Sequence, residues 1–257
     1  MSQAAIYRDA YRGSQRLRRL FRFDVRHRCA RIRQLVAERS IQGGRFLDVG
    51  FGSGDLLAAL PLSVEIVGAE VSASAVARAR VDPRFARYAA AEFVQIDEHD
   101  PESLPQGPFD GVISSHVIEH VPDDREHLHQ ILRRLRPGGL LVLFAPIEEP
   151  GYNPDHVRTY SVRSLTSLVE SAGLEILGVE PSMSMNGHVW KLLTIPSRRR
   201  WPVLGPAVNA ARLATMCWIP YRLFRAMDRA LGAAGVGPRQ VFVLARAPER
   251  GRIDARG

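Results

Sequence analysis

The alternation of apolar and polar stretches along the chain predicts an α/β fold. Short apolar runs, typical of buried strands, alternate with segments in which apolar residues recur every three or four positions, typical of helices. The predicted strands lie at residues 46–49, 64–70, 92–97, 140–145, 174–180 and 240–247, with a further strand beginning at Phe109. The predicted helices that separate them lie at residues 73–81, 124–135 and 162–172. Strands that alternate with helices indicate a mostly parallel sheet with helices on both faces.

Two segments fall outside this alternation. Residues 1–42 have apolar positions at helical spacing, which predicts two helices or one bent helix, and residues 1–45 hold twelve arginines against three acidic residues. We interpret 1–42 as a basic helical arm. It either forms an anion-binding lid over the substrate or packs on the core with a solvated basic face.

The second segment is an insertion, 182–238, in the remaining domain, 43–257. Leu223, Phe224 and Met227 recur at helical spacing, and arginines recur on another face. The apolar stretches are too interrupted to predict a membrane span. The insertion is therefore expected to lie at a membrane interface or to cap an apolar acceptor pocket.

The composition and the N-terminal sequence predict the cellular location. The chain has 257 residues, of which 46% are hydrophobic, a net charge of +8 and two cysteines without metal-type spacing. The N-terminus is arginine-rich and has no apolar stretch typical of a secretory signal. We therefore expect a cytoplasmic protein, in peripheral contact with the inner membrane surface if the insertion binds lipid.

A glycine-rich turn follows the first predicted strand. Asp48 ends the apolar run, and Gly50, Gly52 and Gly54 follow at alternate positions. Glycine permits positive φ and lets backbone approach a ligand. The dinucleotide pattern needs a sixth-position glycine where this chain has Asp55, and the Lys-Ser/Thr end of a phosphate-binding loop is absent. The turn, with a helix predicted after it, favours a ligand without phosphate.

Further motifs place this turn in a family. Glu70 ends the second strand, and Phe109-Asp110-x-Val112, Glu119-His120 and Leu135-x-Pro-Gly-Gly follow in order. The series resembles the class I S-adenosylmethionine (SAM)-dependent methyltransferases. The resemblance implies a Rossmann-like sheet of seven strands, with the last one antiparallel between strands five and six, and SAM as cofactor. The cofactor-binding residues that we expect are Asp48, Gly50, Gly52, Gly54, Glu70, Asp97 and Ser115, with Glu70 on the ribose hydroxyls and Asp97 near the adenine.

Methyl transfer to a hydroxyl benefits from a nearby base. The candidates are His116, Glu119, His120 and His156, the last on a loop, Pro146–Tyr160, that should overhang the methyl donor. The small-RNA 2′-O-methyltransferases and the ubiquinone-pathway O-methyltransferases carry Glu-x-x-Glu-His here and bind a divalent metal. Because His116 replaces the first Glu and Mg²⁺ prefers oxygen ligands, we predict no metal. His127 and His129 are expected to face solvent.

The resemblance implies an enzyme that methylates a hydroxyl of a small-molecule, lipid or glycan acceptor, with peripheral contact to an anionic membrane as a further partner. An RNA methyltransferase, with metal-assisted 2′-O transfer, is the first alternative. Nucleic acid is disfavoured because no aromatic platform for bases accompanies the arginines. The second alternative is a catalytically inactive SAM-binding partner subunit. The sequence does not predict an oligomeric state.

Overall fold

The computed structural model of the chain describes residues 23–98, 100–148, 153, 155–184 and 220–249. One sheet of seven strands runs through them, in the order β3-β2-β1-β4-β5-β7-β6. Its strands are β1 (Arg45–Val49), β2 (Glu65–Glu70), β3 (Ala90–Gln95), β4 (Phe109–Ser115), β5 (Leu135–Pro146), β6 (Glu175–Ser182) and β7 (Gln240–Arg246). The helices of the described part are α1 (Phe23–Glu38), α2 (Ala73–Arg80), α3 (Asp124–Arg134), α4 (Val162–Ser171) and α5 (Tyr221–Ala233).

The strand pairing confirms the predicted fold class. β1 is parallel to both β2 and β4, with Asp48 opposite Gly68 on one side and Ile113 on the other. β7 is antiparallel to β5 and to β6 and lies between them. Because β1, β2 and β4 are parallel, their carboxyl ends meet at a single edge of the sheet, where open α/β sheets bind ligands.

Apolar side chains cover both faces of the sheet. In β1, Leu47 points into a core built with α3 and α4, whereas Phe46 points into a second core shared with α1 and α2. Alternate residues of a strand point to opposite faces, so a strand buried on both sides is an almost continuous apolar run. This explains why the strands were recognisable from apolar runs alone.

Predicted and observed boundaries differ most after the glycine turn. The expected helix is only a 3-10 turn, Leu57–Ala59. Pro61 explains the difference, because it has no N–H to donate to the carbonyl of Leu57 in an α-helix. That carbonyl instead accepts from the Leu60 amide and the Tyr88 hydroxyl, at 3.0 and 2.9 Å.

The predicted and observed starts of two other elements, α3 and β5, can also be compared. α3 begins where predicted, with the Asp123 carboxylate accepting from the Glu126 amide at 2.9 Å. β5 starts at Leu135, five residues earlier than its apolar run, because Leu135 already pairs with Phe109 of β4, and the register then shifts before Leu140 pairs with Gly111.

The arm and the insertion are described in part. Residues 23–38 of the arm are helical as predicted, whereas 1–22 lie outside the described residues. In the insertion, β6 extends to Ser182 and α5 is helical, and 185–219 lie outside the described part. No helix in the described ranges is long and apolar enough to cross a membrane. The domain boundaries stay a prediction.

Candidate cofactor cleft and catalytic cluster

The glycine turn requires glycine at each of its three positions. Gly50, Gly52 and Gly54 have φ of +70°, +55° and +68°, which side-chain-bearing residues rarely adopt. A Cβ at Gly50 would lie 2.5 Å from Val117, and one at Gly54 would lie 2.6 Å from Phe85. The turn therefore presents bare backbone at the carboxyl end of β1, as a cofactor cradle requires.

Glu70 holds this turn from the neighbouring strand. One carboxylate oxygen accepts from the Gly52 amide at 2.9 Å, and the other accepts from the Ser72 amide at 3.1 Å. Burial raises the pKa of Glu70, although these backbone hydrogen bonds oppose the rise. The acid expected to bind ribose hydroxyls thus lies directly against the glycine turn.

Asp48 is 1% exposed, and its Oδ1 has no hydrogen-bond partner among the described residues. Burial, and then the charge of Glu70, raise its pKa well above the ordinary value, and Arg28 partly opposes this. A buried acid without a partner is costly. Asp48, with an oxygen that has no partner, lies near the second buried acid, Glu70, so the cleft fits a ligand with positive charge, such as the sulfonium and ammonium groups of SAM.

Arg84 braces the far side of the turn. Its Nη1 donates to Asp55 Oδ1 at 2.7 Å, and its Nη2 donates to the backbone oxygen of Ser53 at 2.8 Å. Sequence reasoning missed Arg84, since nothing marks it out among the many arginines of the chain.

The remaining predicted cofactor residues lie at the same edge. Ser115 ends β4, and its hydroxyl accepts from Arg28 Nη1 at 2.7 Å. Asp97 lies beyond the end of β3 and is exposed, with its amide donating to Ser103 Oγ at 3.0 Å. The structure thus brings Asp48, Glu70 and Ser115 together and leaves Asp97 on the outer loop.

Three of the candidate catalytic residues form one cluster. Potential ligand atoms of Glu119, His120 and His156 all lie within 4.8 Å of one another. The two imidazoles meet edge to face, with centroids 4.8 Å apart. Glu119 is fully buried, and neither of its oxygens receives a hydrogen bond of regular geometry from the described residues.

Glu148 adds a second carboxylate to the cluster. Its Oε2 lies 2.8 Å from Nδ1 of His156, while the Asn153 amide nitrogen lies 2.8 Å from Nε2 of the same ring. Both side chains come from the overhanging loop, which orients His156. Sequence analysis missed Glu148, although its place in the loop that carries His156 was a usable signal.

His116 lies beside the cluster rather than in it. Its Nε2 is 3.1 Å from Gln240 Oε1, and its Nδ1 is 3.2 Å from Glu119 Oε1. Burial opposes ionisation of Glu119, but the contact with His116 outweighs it and lowers the pKa of the carboxyl. His116 thus keeps Glu119 charged and ties it to β7.

The prediction that His127 faces solvent is wrong. Its Nε2 lies 3.5 Å from Ser114 Oγ, because this face of α3 packs against β4. Burial lowers the pKa of His127 to about 4, so the ring is neutral at physiological pH.

The cluster has a donor set that can hold a metal. Two imidazoles with one or two carboxylates suit Zn²⁺, Mn²⁺ or Fe²⁺, whereas Mg²⁺ prefers oxygen ligands alone. The residues fit a divalent transition metal. The prediction of a metal-free site stays a prediction.

Comparison with known proteins agrees with this geometry. A family model described as "Methyltransferase domain" matches residues 21–179. A probable S-adenosylmethionine-dependent methyltransferase of Mycolicibacterium smegmatis is 29% identical over 160 residues, covering 58% of this chain and 54% of its own length. A ubiquinone/menaquinone biosynthesis C-methyltransferase of Geobacter sulfurreducens is 34% identical over 131 residues, covering 49% and 51%. A ubiquinone biosynthesis O-methyltransferase of Ruegeria pomeroyi is 33% identical over 115 residues, covering 43% and 44%.

Solved structures share the fold. The [4+2]-cyclase SpnF superposes with a TM-score of 0.55 and 26% identity, over 85% of this chain and 80% of its own. A SAM-dependent methyltransferase from Archaeoglobus fulgidus has a TM-score of 0.55 and 19% identity, over 95% and 100%. The chain spans about half the length of the curated relatives it matches. With the family model covering more than half of its residues, this chain belongs to the class I family of SAM-dependent methyltransferase domains.

Proposed function

We propose that the chain transfers the methyl group of SAM to a hydroxyl of a small-molecule, lipid or glycan acceptor. The observation that carries the proposal is the cluster of Glu119, His120 and His156 at the edge of the sheet where Asp48 and Glu70 lie. The relatives named as ubiquinone biosynthesis O-methyltransferases support an oxygen acceptor.

The tautomer of His120 makes it a better candidate for the base than His156. Its Nδ1 lies 3.2 Å from the carbonyl oxygen of Asp155, and a carbonyl only accepts hydrogen bonds. Nδ1 therefore carries the proton, and in the neutral ring Nε2 carries the lone pair. When bound, SAM supplies an electrophilic methyl group on a sulfonium. His120 Nε2 takes the acceptor proton, and the rest of the cleft aligns the acceptor and excludes water.

The test is a screen with SAM labelled in the methyl group. The acceptors are phenols, catechols, hydroxyquinones with a lipid tail, a glycan panel and single-stranded RNA. Label that enters an oxygen ether of a small molecule or glycan supports the proposal. Label in RNA favours the RNA methyltransferase alternative. SAM binding with no transfer to any acceptor class favours the inactive partner subunit. The fold alone does not decide this point, because a cyclase shares it.

Metal-assisted transfer is a second candidate, favoured by the buried carboxylate of Glu119, which contacts His116 and lies beside two further imidazoles. A bound divalent cation would lower the pKa of an acceptor hydroxyl. Calorimetric titration of Zn²⁺, Mn²⁺ and Mg²⁺ into the metal-stripped protein tests it without an acceptor. Binding of Zn²⁺ or Mn²⁺ that is lost in Glu119→Gln supports the site. If none of these ions binds, or if binding is unchanged in Glu119→Gln, the metal site is ruled out.

The arm and insertion would then form the acceptor site and its lid. On α5, Leu223 and Met227 are 52% and 40% exposed, and the exposed Arg222 and Arg229 flank them. An apolar stripe between arginines suits an anionic membrane surface, so we propose peripheral contact there. Co-sedimentation with anionic vesicles at low salt, lost in Leu223→Ser/Met227→Ser, supports contact. No sedimentation at any salt leaves only the role of a pocket cap.

A further inference from the structure

Two buried polar groups lie without hydrogen-bond partners where the arm meets the insertion. His27 on α1 is 6% exposed, and its Nδ1 makes no hydrogen bond to any described residue. The hydroxyl of Tyr221, the first residue of α5, is also buried and has no partner in the part of the chain that the structure describes. A polar atom that is withdrawn from water without gaining a hydrogen bond costs free energy. Two such groups in one place indicate a site for a polar group of a ligand.

The two groups belong to one aromatic cluster. The ring centroids of His27 and Tyr221 are 5.5 Å apart, and the His27 ring meets the ring of Phe224 edge to face at 5.6 Å. Phe224 itself is fully buried. Aromatic side chains pack well against a flat ring, while histidine and tyrosine add hydrogen-bonding atoms at its edge. The cluster is therefore suited to a ring that carries oxygen substituents.

The cluster lies toward the carboxyl edge of the sheet, on the side of β7. Arg31 follows His27 by one helical turn on the same face of α1, and its guanidinium lies 4.2 Å from the centre of the Phe242 ring. The chain runs from the end of α1 to the start of β1 at the opposite edge, so His27 lies closer to the carboxyl edge than Arg31 does. On β7, Gln240 lies on the same face as Phe242 and also toward that edge. Gln240 is the residue that contacts His116.

The order of the strands separates this cluster from the cofactor cleft. Asp48 and Glu70 stand at the ends of β1 and β2, whereas α5 packs against β6 on the other side of the sheet, with Arg225 donating to Glu180 at 3.2 Å. β4 and β5, which lead into the catalytic cluster, lie between the two. The aromatic cluster therefore flanks the catalytic histidines on the side opposite the cofactor, where an acceptor must lie.

The surrounding charges favour an uncharged ligand group. Burial is the main cause that lowers the pKa of His27 to about 4, and three nearby guanidinium groups add to it, so the ring is neutral. Each guanidinium already has an acid partner: Arg28 pairs with Asp24 at 2.9 Å, and Arg31 and Arg225 pair with Glu180 at 2.8 and 3.2 Å. A carboxylate or phosphate would have to compete for these cations. A hydroxyl or carbonyl oxygen needs only the neutral imidazole and the phenol.

We propose that His27 and Tyr221 bind an uncharged oxygen, a hydroxyl or a carbonyl, on the ring of the acceptor, apart from the hydroxyl that is methylated. The inference rests on the proposed methyl transfer to a hydroxyl. It narrows the acceptor to a small molecule with a flat ring that bears a second oxygen. The arm and the insertion each supply one of the two polar groups, so both segments select the acceptor, and proton transfer stays with His120.

A ligand-observed NMR titration tests the ring site without methyl transfer. The protein is saturated with S-adenosylhomocysteine. The probes are phenol, which has one hydroxyl, and the three benzenediols catechol, resorcinol and hydroquinone, which have two. We expect at least one benzenediol to bind wild type about three- to tenfold more tightly than phenol, the range for one additional hydrogen bond. In Tyr221→Phe and His27→Phe, which keep an aromatic ring and remove the polar atoms, this advantage should fall below about twofold.

Tyr88→Phe is the matched control. The Tyr88 hydroxyl has partners, since it donates to the backbone oxygens of Leu57 and Leu60 at 2.9 and 3.1 Å. This variant should keep the wild-type preference among the probes but lower the urea midpoint of the cofactor-free protein. Tyr221→Phe should leave that midpoint unchanged or raise it, because it removes a buried hydroxyl that has no partner among the described residues.

Three results would each overturn the proposal: a wild-type protein that binds all four probes equally, a preference that survives in Tyr221→Phe or His27→Phe, or a midpoint that falls as far in Tyr221→Phe as in Tyr88→Phe. Failure of the proposed function would look different. Wild type would still prefer one benzenediol and the two variants would not, while no acceptor would receive the labelled methyl group.

Discussion

The imidazoles of His120 and His156 meet edge to face with their centroids 4.8 Å apart, although one follows β4 and the other follows β5. Backbone contacts hold the two loops together, since the Val157 amide donates to the backbone carbonyl oxygen of Glu119 at 2.9 Å. Arg158 reinforces the junction through Asp124, at 2.5 Å. The overhanging loop is thus fixed against the exit of β4, and the cluster is built before any ligand arrives.

The two histidines should be separable from cofactor binding. We expect His120→Ala to lower turnover of the identified acceptor about 10²- to 10⁴-fold, because the base is lost, and His156→Ala to lower it less. Affinity for S-adenosylhomocysteine should stay within about twofold of wild type in both. The matched control is His129→Ala on α3, outside the cluster. Full activity in both cluster variants would show that alignment alone drives the reaction.

Arg84 should stiffen the glycine turn without touching the chemistry. We expect Arg84→Gln to weaken S-adenosylhomocysteine binding about tenfold, because charge-assisted hydrogen bonds to Asp55 and Ser53 are lost. Isothermal calorimetry measures the change. Arg87→Gln, at an exposed position of the same segment, is the control and should bind normally. An unchanged affinity in Arg84→Gln would mean that the turn holds its shape alone.

Asp48 should make the cofactor-free protein less stable as pH rises. Its folded-state pKa is raised, mainly by burial, so the folded state binds the proton more tightly than the unfolded state does. The free energy of unfolding therefore falls as pH increases from about 4 through the raised folded-state value. We expect Asp48→Asn to be more stable than wild type at pH 7, by about 1–3 kcal/mol, yet to bind S-adenosylhomocysteine more weakly. Urea denaturation between pH 4 and 8 measures this, and a parallel pH dependence in the two proteins would refute it.

His127 should have the opposite pH dependence. Its pKa is lowered by burial to about 4, so below pH 6.5 the unfolded state takes up a proton that the folded state refuses. The free energy of unfolding should fall by about 1–3 kcal/mol between pH 6.5 and 4. His127→Gln removes this titration and should lose less stability over the same range in thermal denaturation. Equal acid sensitivity in the two proteins would show that the ring does not titrate as its burial requires.

The fold could be predicted because its signals are local. Each buried strand is a contiguous apolar run, and the glycines at 50, 52 and 54 mark a turn whose backbone only glycine adopts comfortably. Among the described residues, the wrongly predicted element is the helix after that turn. It failed because Pro61 removes a single hydrogen bond, an effect that apolar periodicity does not register.

The site could be predicted only where a residue stands at a strand end. Asp48, Glu70 and Ser115 were placed by counting along strands, and His120 and His156 by the loops that follow them. Arg28 and Arg84 act through contacts between segments distant in sequence, whereas Glu148 contacts His156 of its own loop. Nothing local distinguishes Arg28 or Arg84 from the other arginines of the chain. Only their contacts in the folded protein, to Ser115 for Arg28 and to Asp55 for Arg84, reveal them.

The central claim is that the glycine turn at the end of β1 binds the cofactor. Calorimetric titration of S-adenosylhomocysteine into wild type and Gly52→Val tests it, with Gly43→Val, a site with open space and an ordinary φ, as control. Circular dichroism checks that each variant is folded. We predict binding by wild type and Gly43→Val and none by Gly52→Val, because a β-branched residue is strained at φ +55° and its side chain would displace the backbone contact. Equal binding by a folded Gly52→Val protein would contradict the claim.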